Sequence, residues 1–302
     1  VKARLEILGS ATLLCTCFGT GIIAIRVGVS HFAPLTFTMV RLAVILLAFV
    51  VLLAVTGRRM PRDRRFLGLI VLVGLLNVGF PYTLSALTLR LVSSTLYSIL
   101  MNLIPVLSVV LAHFFLPDER MTARKALGVT AAVSGASVVV WAGAGADGAA
   151  ESAGALAVGT AMIVANALSV AVCNILLRKR MRNEDRLLVT GGQMTVGLGL
   201  VAPAALLAEG VPDLGAVAWQ GWAALLWAAL IGAFLGYWMS FSIIRRWGVT
   251  TSAVASTGVP LVTGIVAVLM LGETLSAAMV VGGLVLVAGV LVVLLGERAG
   301  AR

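Results

Sequence analysis

Residues 104–128 read IPVLSVVLAHFFLPDERMTARKALG, and residues 259–283 read VPLVTGIVAVLMLGETLSAAMVVGG. Each stretch runs from a proline inside an apolar segment, through a glutamate at a break, to a glycine inside the next apolar segment. Pro105 meets Pro260 at an offset of 155 residues, whereas Glu119 meets Glu273 and Gly128 meets Gly282 at 154. One residue has therefore been lost between the proline and the glutamate. The first offset extends backwards, pairing Tyr82 with Tyr237, Ser85 with Ser240, Arg90 with Arg245 and Thr95 with Thr250. The second extends forwards, pairing Gly135 with Gly289. Two blocks of matches joined by a single gap mark an internal duplication.

The surroundings of both stretches are apolar. Of 302 residues 61% are hydrophobic and 11% charged, and mean hydropathy is +1.10, a composition that excludes a water-soluble globule. Apolar runs of about 20 residues recur, each able to cross a hydrocarbon core of about 30 Å as a helix. A transmembrane barrel would alternate apolar with polar residues over segments of about 10, and these runs are apolar on every face. The expected spans are 5–27, 34–56, 66–88, 92–116, 122–141, 153–177, 187–208, 217–243, 249–271 and 275–295. The first follows Lys2 and Arg4 and outruns the apolar core of a signal peptide, so it reads as a helix. The Gly/Ala-rich stretch from Gly143 to Ser152, with Asp147 and Glu151, divides the chain into repeats at 1–145 and 150–302. The expected fold is an all-α membrane protein with ten transmembrane helices in two five-helix repeats.

Five is odd, so the second repeat enters the bilayer inverted relative to the first. The basic residues agree. Alternate connections, counted from the N-terminus, hold 19 of the 22 Lys and Arg, including Arg58, Arg59, Arg62, Arg64 and Arg65, then Arg178, Lys179, Arg180, Arg182 and Arg186. The other side carries Asp147, Glu151, Glu209, Asp213 and Glu273, with only Arg26, Arg41 and Arg90 near it. Retention of positive charge in the cytoplasm places both termini there, in a multi-pass inner (plasma) membrane protein. The net charge of +10 is thus an orientation signal spread over six short segments, which disfavours a nucleic-acid partner. Cys15, Cys17 and Cys173 lie inside apolar runs without metal or disulfide spacing and read as small buried hydrophobes. No metal or cofactor motif and no phosphate-binding Gly-rich loop is present, so neither cofactor use nor ATP drive is expected.

The chain resembles the EamA-type ten-helix members of the drug/metabolite transporter superfamily along essentially its whole length. The resemblance is carried by Phe18-Gly19, Arg26, Pro34 and Arg41 in CFGTGIIAIRVGVSHFAPLTFTMVRLAVILLA, and by the Pro–Glu–Gly pattern in both quoted stretches. It implies alternating access through a central cavity between the repeats, lined by helices 1, 3, 4, 6, 8 and 9.

A polar side chain at mid-span must face a partner or a wet cavity. Asn77, Asn102, Asn166, Ser256 and Thr257 are such residues, and for each Asn an interhelical bond that only fixes packing is the competing reading. Tyr82, Tyr97 and Tyr237 are further candidates for the pathway, with a membrane-interface position the alternative for Tyr82 and Tyr97. Arg41 lies about seven residues inside its span; an ion pair or carbonyl clamp, an anionic substrate group and snorkelling are its three readings. His113 is a candidate proton carrier or an ordinary interface histidine. Pro105 and Pro260 each remove a backbone donor, so both should kink their helices and are candidate hinges. Gly128, Gly135, Gly282, Gly283 and Gly289 permit close packing.

No Asp or Glu sits at mid-span, which disfavours dedicated recognition of lipophilic cations, and Arg41 with the amides tolerates a carboxylate. The sequence therefore points to a secondary, alternating-access transporter and exporter of a small metabolite such as an amino acid. Multidrug efflux is the alternative. A membrane-embedded lipid-modifying enzyme is the rival from another class, but His31 and His113 lie a bilayer apart and no acid pair or Ser/His set shares a depth. The expected partners are a small-molecule substrate and the lipid bilayer, with the chain a monomer or homodimer.

Overall fold

The computed structural model describes residues 2–58, 63–116, 121–146, 150–181 and 184–300. Glu119, Asp147, Arg59, Arg62 and Arg182 lie outside the described residues. Among the described residues, ten helices are long and apolar enough to cross a membrane. They are α1 (Glu6–His31), α2 (Pro34–Val55), α3 (Arg64–Leu91), α4 (Ser94–Phe115), α5 (Ala123–Gly143), α6 (Gly154–Arg180), α7 (Arg186–Glu209), α8 (Trp219–Trp247), α9 (Thr251–Leu271) and α10 (Ala277–Leu295). Each closes its own backbone hydrogen bonds, as a segment in hydrocarbon must. With ten crossings both termini fall on one face, here termed the termini face, and the two five-helix repeats run in opposite directions. Several helices outrun the sequence spans by a turn: α1 continues to His31, so Arg26 stands on a helix wall rather than beside a loop.

Local sequence sets the ends. Ala33 is extended, with Pro34 opening α2, where a missing backbone donor costs nothing. Asp63, Ser93 and Asp185 cap α3, α4 and α7 by accepting from the backbone N–H of Phe66, Leu96 and Leu187. Gly272 ends α9 with φ +65°, a conformation that suits glycine because a Cβ there would crowd the backbone.

The duplication is visible in the backbone. α3 widens to a π-type turn over Leu75–Gly79, and α8 over Trp227–Leu235, the same place at an offset of 155. α4 breaks at Asn102 and α9 at Thr257, again related by 155. At both breaks the helix tightens, with Asn102 N–H donating to the Ile99 carbonyl and Thr257 N–H to the Val254 carbonyl. Pro105 and Pro260 lie three residues beyond, so the expected disruptions are present and fall on the turn before each proline, where the ring crowds the backbone.

α5 and α10 form the tightest pair. A Cβ on Gly135 would stand 2.4 Å from the Leu286 nitrogen, and one on Gly289 2.4 Å from the Ala132 nitrogen, so the two backbones touch. Small residues allow this approach, and dispersion rather than water exclusion drives it within lipid.

Candidate functional site

The polar centre forms where α2, α3, α4, α6 and α8 meet. Pro81, two residues beyond the widened segment of α3, has no N–H to give, and the Leu76 carbonyl five residues before it is taken up instead by the Ser169 hydroxyl of α6 at 2.7 Å. α6 is thereby held against α3 beside the Pro81 carbonyl.

That carbonyl organises a knot. Asn166 on α6 donates from Nδ2 to the Pro81 oxygen at 3.1 Å, and the same nitrogen lies 3.1 Å from Ser85 Oγ and 3.4 Å from Tyr97 Oη. Ser85 Oγ also donates to the Pro81 carbonyl at 2.7 Å and sits 2.6 Å from Tyr97 Oη. Because a carbonyl only accepts, the Pro81 contact fixes which end of the Asn166 amide is nitrogen. Asn166 Oδ1 is then buried without a partner among the described residues.

Arg41 stands beside this knot. Its guanidinium lies over the Tyr82 ring, 4.6 Å from the centroid, and within electrostatic range of Tyr237 and Tyr97. The residue is 7% exposed and its Nε has no partner. Among the described residues no carboxylate and no carbonyl bonds it, so neither the ion pair nor the carbonyl clamp considered for it is present. Its long stem does not carry the charge to the surface either.

Tyr82 and Tyr237, equivalent by the repeat, meet hydroxyl to hydroxyl at 3.3 Å. Phe18 of α1 packs edge-on against Tyr237, with centroids 6.0 Å apart, and Phe241 stacks on the same ring at 6.3 Å. Gly236 makes room, since a Cβ there would stand 2.7 Å from the Phe18 ring.

Other candidates lie apart from this centre. Asn77 donates to Gln193 of α7 at 3.0 Å, a packing bond between α3 and α7. Asn102 donates to the Ser98 carbonyl at 3.3 Å, covering a group that the α4 break would leave open. Ser256 and Thr257 bond the Ala253 and Val254 carbonyls of their own turn. His113 accepts from the Met121 N–H at 3.1 Å and closes the α4–α5 connection. Sequence reasoning did not single out Gln193 or Ser169. Their signal was the same as that of the asparagines, a polar side chain inside an apolar span.

The face away from the termini is knitted by side chains matched to helix ends. Arg26 of α1 donates to the Leu89 and Val92 carbonyls at the C-terminus of α3, and Arg90 of α3 returns a bond to the Val29 carbonyl of α1 at 3.0 Å. Glu209 accepts from the Leu35 and Thr36 N–H at the start of α2, at 2.9 and 2.7 Å. Glu273 accepts from the Ser94 and Thr95 N–H at the start of α4, at 2.7 and 3.1 Å. Cations thus meet helix C-termini and anions meet N-termini, as the helix dipoles favour.

The family model of the EamA-like transporter family matches residues 7–141 and again residues 157–295. The chain belongs to the EamA-like transporter family. The two matched stretches correspond to the two repeats, and the family is a branch of the drug/metabolite transporter superfamily of membrane transporters. Among solved structures, a crystallised protein is similar with a TM-score of 0.66 at 18% identity, covering 96% of this chain and 98% of that one. At that identity the likeness concerns the fold. No curated protein sequence matches this chain.

Proposed function

We propose that this EamA-like protein is an alternating-access carrier that exports a small carboxylate-bearing metabolite, such as an amino acid, across the plasma membrane, with both termini cytoplasmic. The observation that carries the substrate class is Arg41, a buried cation over an aromatic face with no anion bonded to it among the described residues. Leaving such a charge without a counter-ion is costly, and a substrate carboxylate that docks there recovers the cost. The phenols of Tyr82 and Tyr237 supply further donors.

Alternating access is supported by a difference between equivalent helices. Over their apolar windows α4 is 44% buried and α9 22%, although one descends from the same ancestral segment as the other. The first segment of α4 packs on α1, α3, α5, α6, α10 and the second segment of α9. The first segment of α9 packs on α1, α8 and α10, and no comparable packing on α4, α5 or α6 occurs among the described residues. The segment of α4 at the face away from the termini is thus enclosed on more sides than the segment of α9 at the termini face. Exchange of these two packings between repeats 1–145 and 150–302, with the breaks before Pro105 and Pro260 as hinges, would carry the centre from one side to the other.

A flux survey in proteoliposomes tests the reading, comparing amino acids and other small carboxylates with cationic dyes. Carboxylate flux that falls at least about thirtyfold in Arg41→Gln is expected, the loss typical of one partner of a buried charge pair. Dye flux without carboxylate flux, or an Arg41→Gln variant as active as its parent, would reverse the substrate assignment.

A further inference from the structure

Glu273 ties the second repeat to the first at the point where the two differ most. Beyond Gly272 the chain turns back, Glu273 N–H returning to the Ala267 carbonyl at 3.3 Å, and the carboxylate reaches the first turn of α4. One oxygen accepts from Ser94 N–H, and the other from Thr95 N–H and from Thr95 Oγ at 2.8 Å. Those N–H groups have no partner within their own helix. A single carboxylate thus satisfies three donors, each bond strengthened by its charge and by the helix N-terminus.

The segment it holds is the one that is encased. Every residue from Ser94 to Leu100 is buried, whereas of the equivalent residues Thr251 to Ala255 in α9 only Ser252 is buried. Ser98 lies one turn beyond Thr95 on the helix face shared with Asn102, and is 2% exposed; its counterpart at an offset of 155, Ala253, is half-buried. Glu209 offers an internal contrast. It makes the same kind of bond to α2, but α2 and α7 pack along their length, so that tie lies within a continuous helix pair.

We propose that Glu273 is the latch of the gate at the face away from the termini. The first segment of α4 swings from α9 only when the carboxylate leaves the Ser94 and Thr95 amides, and its return closes that face. The proposal rests on the alternating-access reading above. It assigns the control of opening to a residue at the helix end, separate from the Arg41 centre.

The test uses single reporter cysteines, Ser98→Cys or Ala253→Cys, in the full chain with Cys15, Cys17 and Cys173 replaced. A membrane-impermeant quaternary-ammonium methanethiosulfonate is applied to one face at a time in vesicles of each orientation. Glu273→Gln keeps the shape and removes the charge. It should speed modification of the Ser98 reporter from the face away from the termini by about tenfold or more, the scale of one lost charge-assisted bond. It should slow modification of the Ala253 reporter from the termini face as the population shifts, while Glu209→Gln leaves both rates at the parent value. Unchanged rates in Glu273→Gln overturn the latch, and so does an increase at both reporters, the mark of general loosening. In the parent, each reporter should react from its own face only. Failure of that pattern sinks the alternating-access reading itself, whereas an inert Glu273→Gln upon it removes the latch alone.

Discussion

α4 and α9 break at equivalent residues, Asn102 and Thr257, and carry equivalent prolines, yet their surroundings differ. In the first repeat, Ser85 meets Tyr97 at 2.6 Å, and Asn166 of the second repeat covers both. In the second, the residues at an offset of 155 from Ser85 and Tyr97 are Ser240 and Ser252, 3.0 Å apart, two small hydroxyls without an aromatic ring. The duplication preserved where polar groups face each other and let their size diverge. The first repeat thus carries an aromatic hydroxyl at this position, close to Arg41, and the second a small one. The packing difference lies at the two ends of the bundle, at the first segments of α4 and α9.

The α5–α10 pair joins the repeats backbone to backbone, and disturbing it should have the largest effect. Gly135→Leu drives a side chain into the α10 backbone and should cost about 3 kcal/mol or more, with folded protein lost from detergent extracts. A fully stable variant would show that the scaffold is not where the halves are joined. A smaller effect is expected within the polar knot. Tyr97→Phe strips a buried hydroxyl from Ser85 and Asn166 and should cost about 1–3 kcal/mol in denaturation of the micelle-bound protein. Ser252→Ala should cost about 1 kcal/mol or less, because half-buried Ser240 is open to another partner. Equal losses at the two positions would erase the asymmetry between the repeats. The smallest effect belongs to Arg58→Ala, which breaks the exposed ion pair with Asp185 between α2 and α7. It should change stability by less than about 1 kcal/mol, and less still at high salt.

The fold was legible because hydrocarbon imposes one rule on every span, and because the quoted stretches recur with their proline, glutamate and glycine in order. The breaks in α4 and α9 followed from the prolines. Arg41 stood out as a charge inside a span, but its lack of a counter-ion depends on what other helices bring near it, which no spacing within α2 encodes. Ser85 was visible only as a repeat position. Asn77 and Asn102 resembled Asn166 in sequence, and packing alone separates a bond to Gln193 or to a neighbouring carbonyl from membership of the central knot. The reciprocal Arg26–Arg90 clamp was illegible, since it needs α1 and α3 to end at one level with their carbonyls facing.

The central claim is that α4 and α9 exchange packings about one polar centre. Spin labels at exposed Leu91 and Thr274 report the face away from the termini, and labels at exposed Asn174 and Arg246 report the termini face. Their distance distributions, measured by pulsed electron resonance in nanodiscs with and without a transported carboxylate, test that claim most directly. Two populations are expected whose distances change in opposite senses, one face widening as the other narrows. Two distances that stay single and fixed, or that widen together, would contradict it.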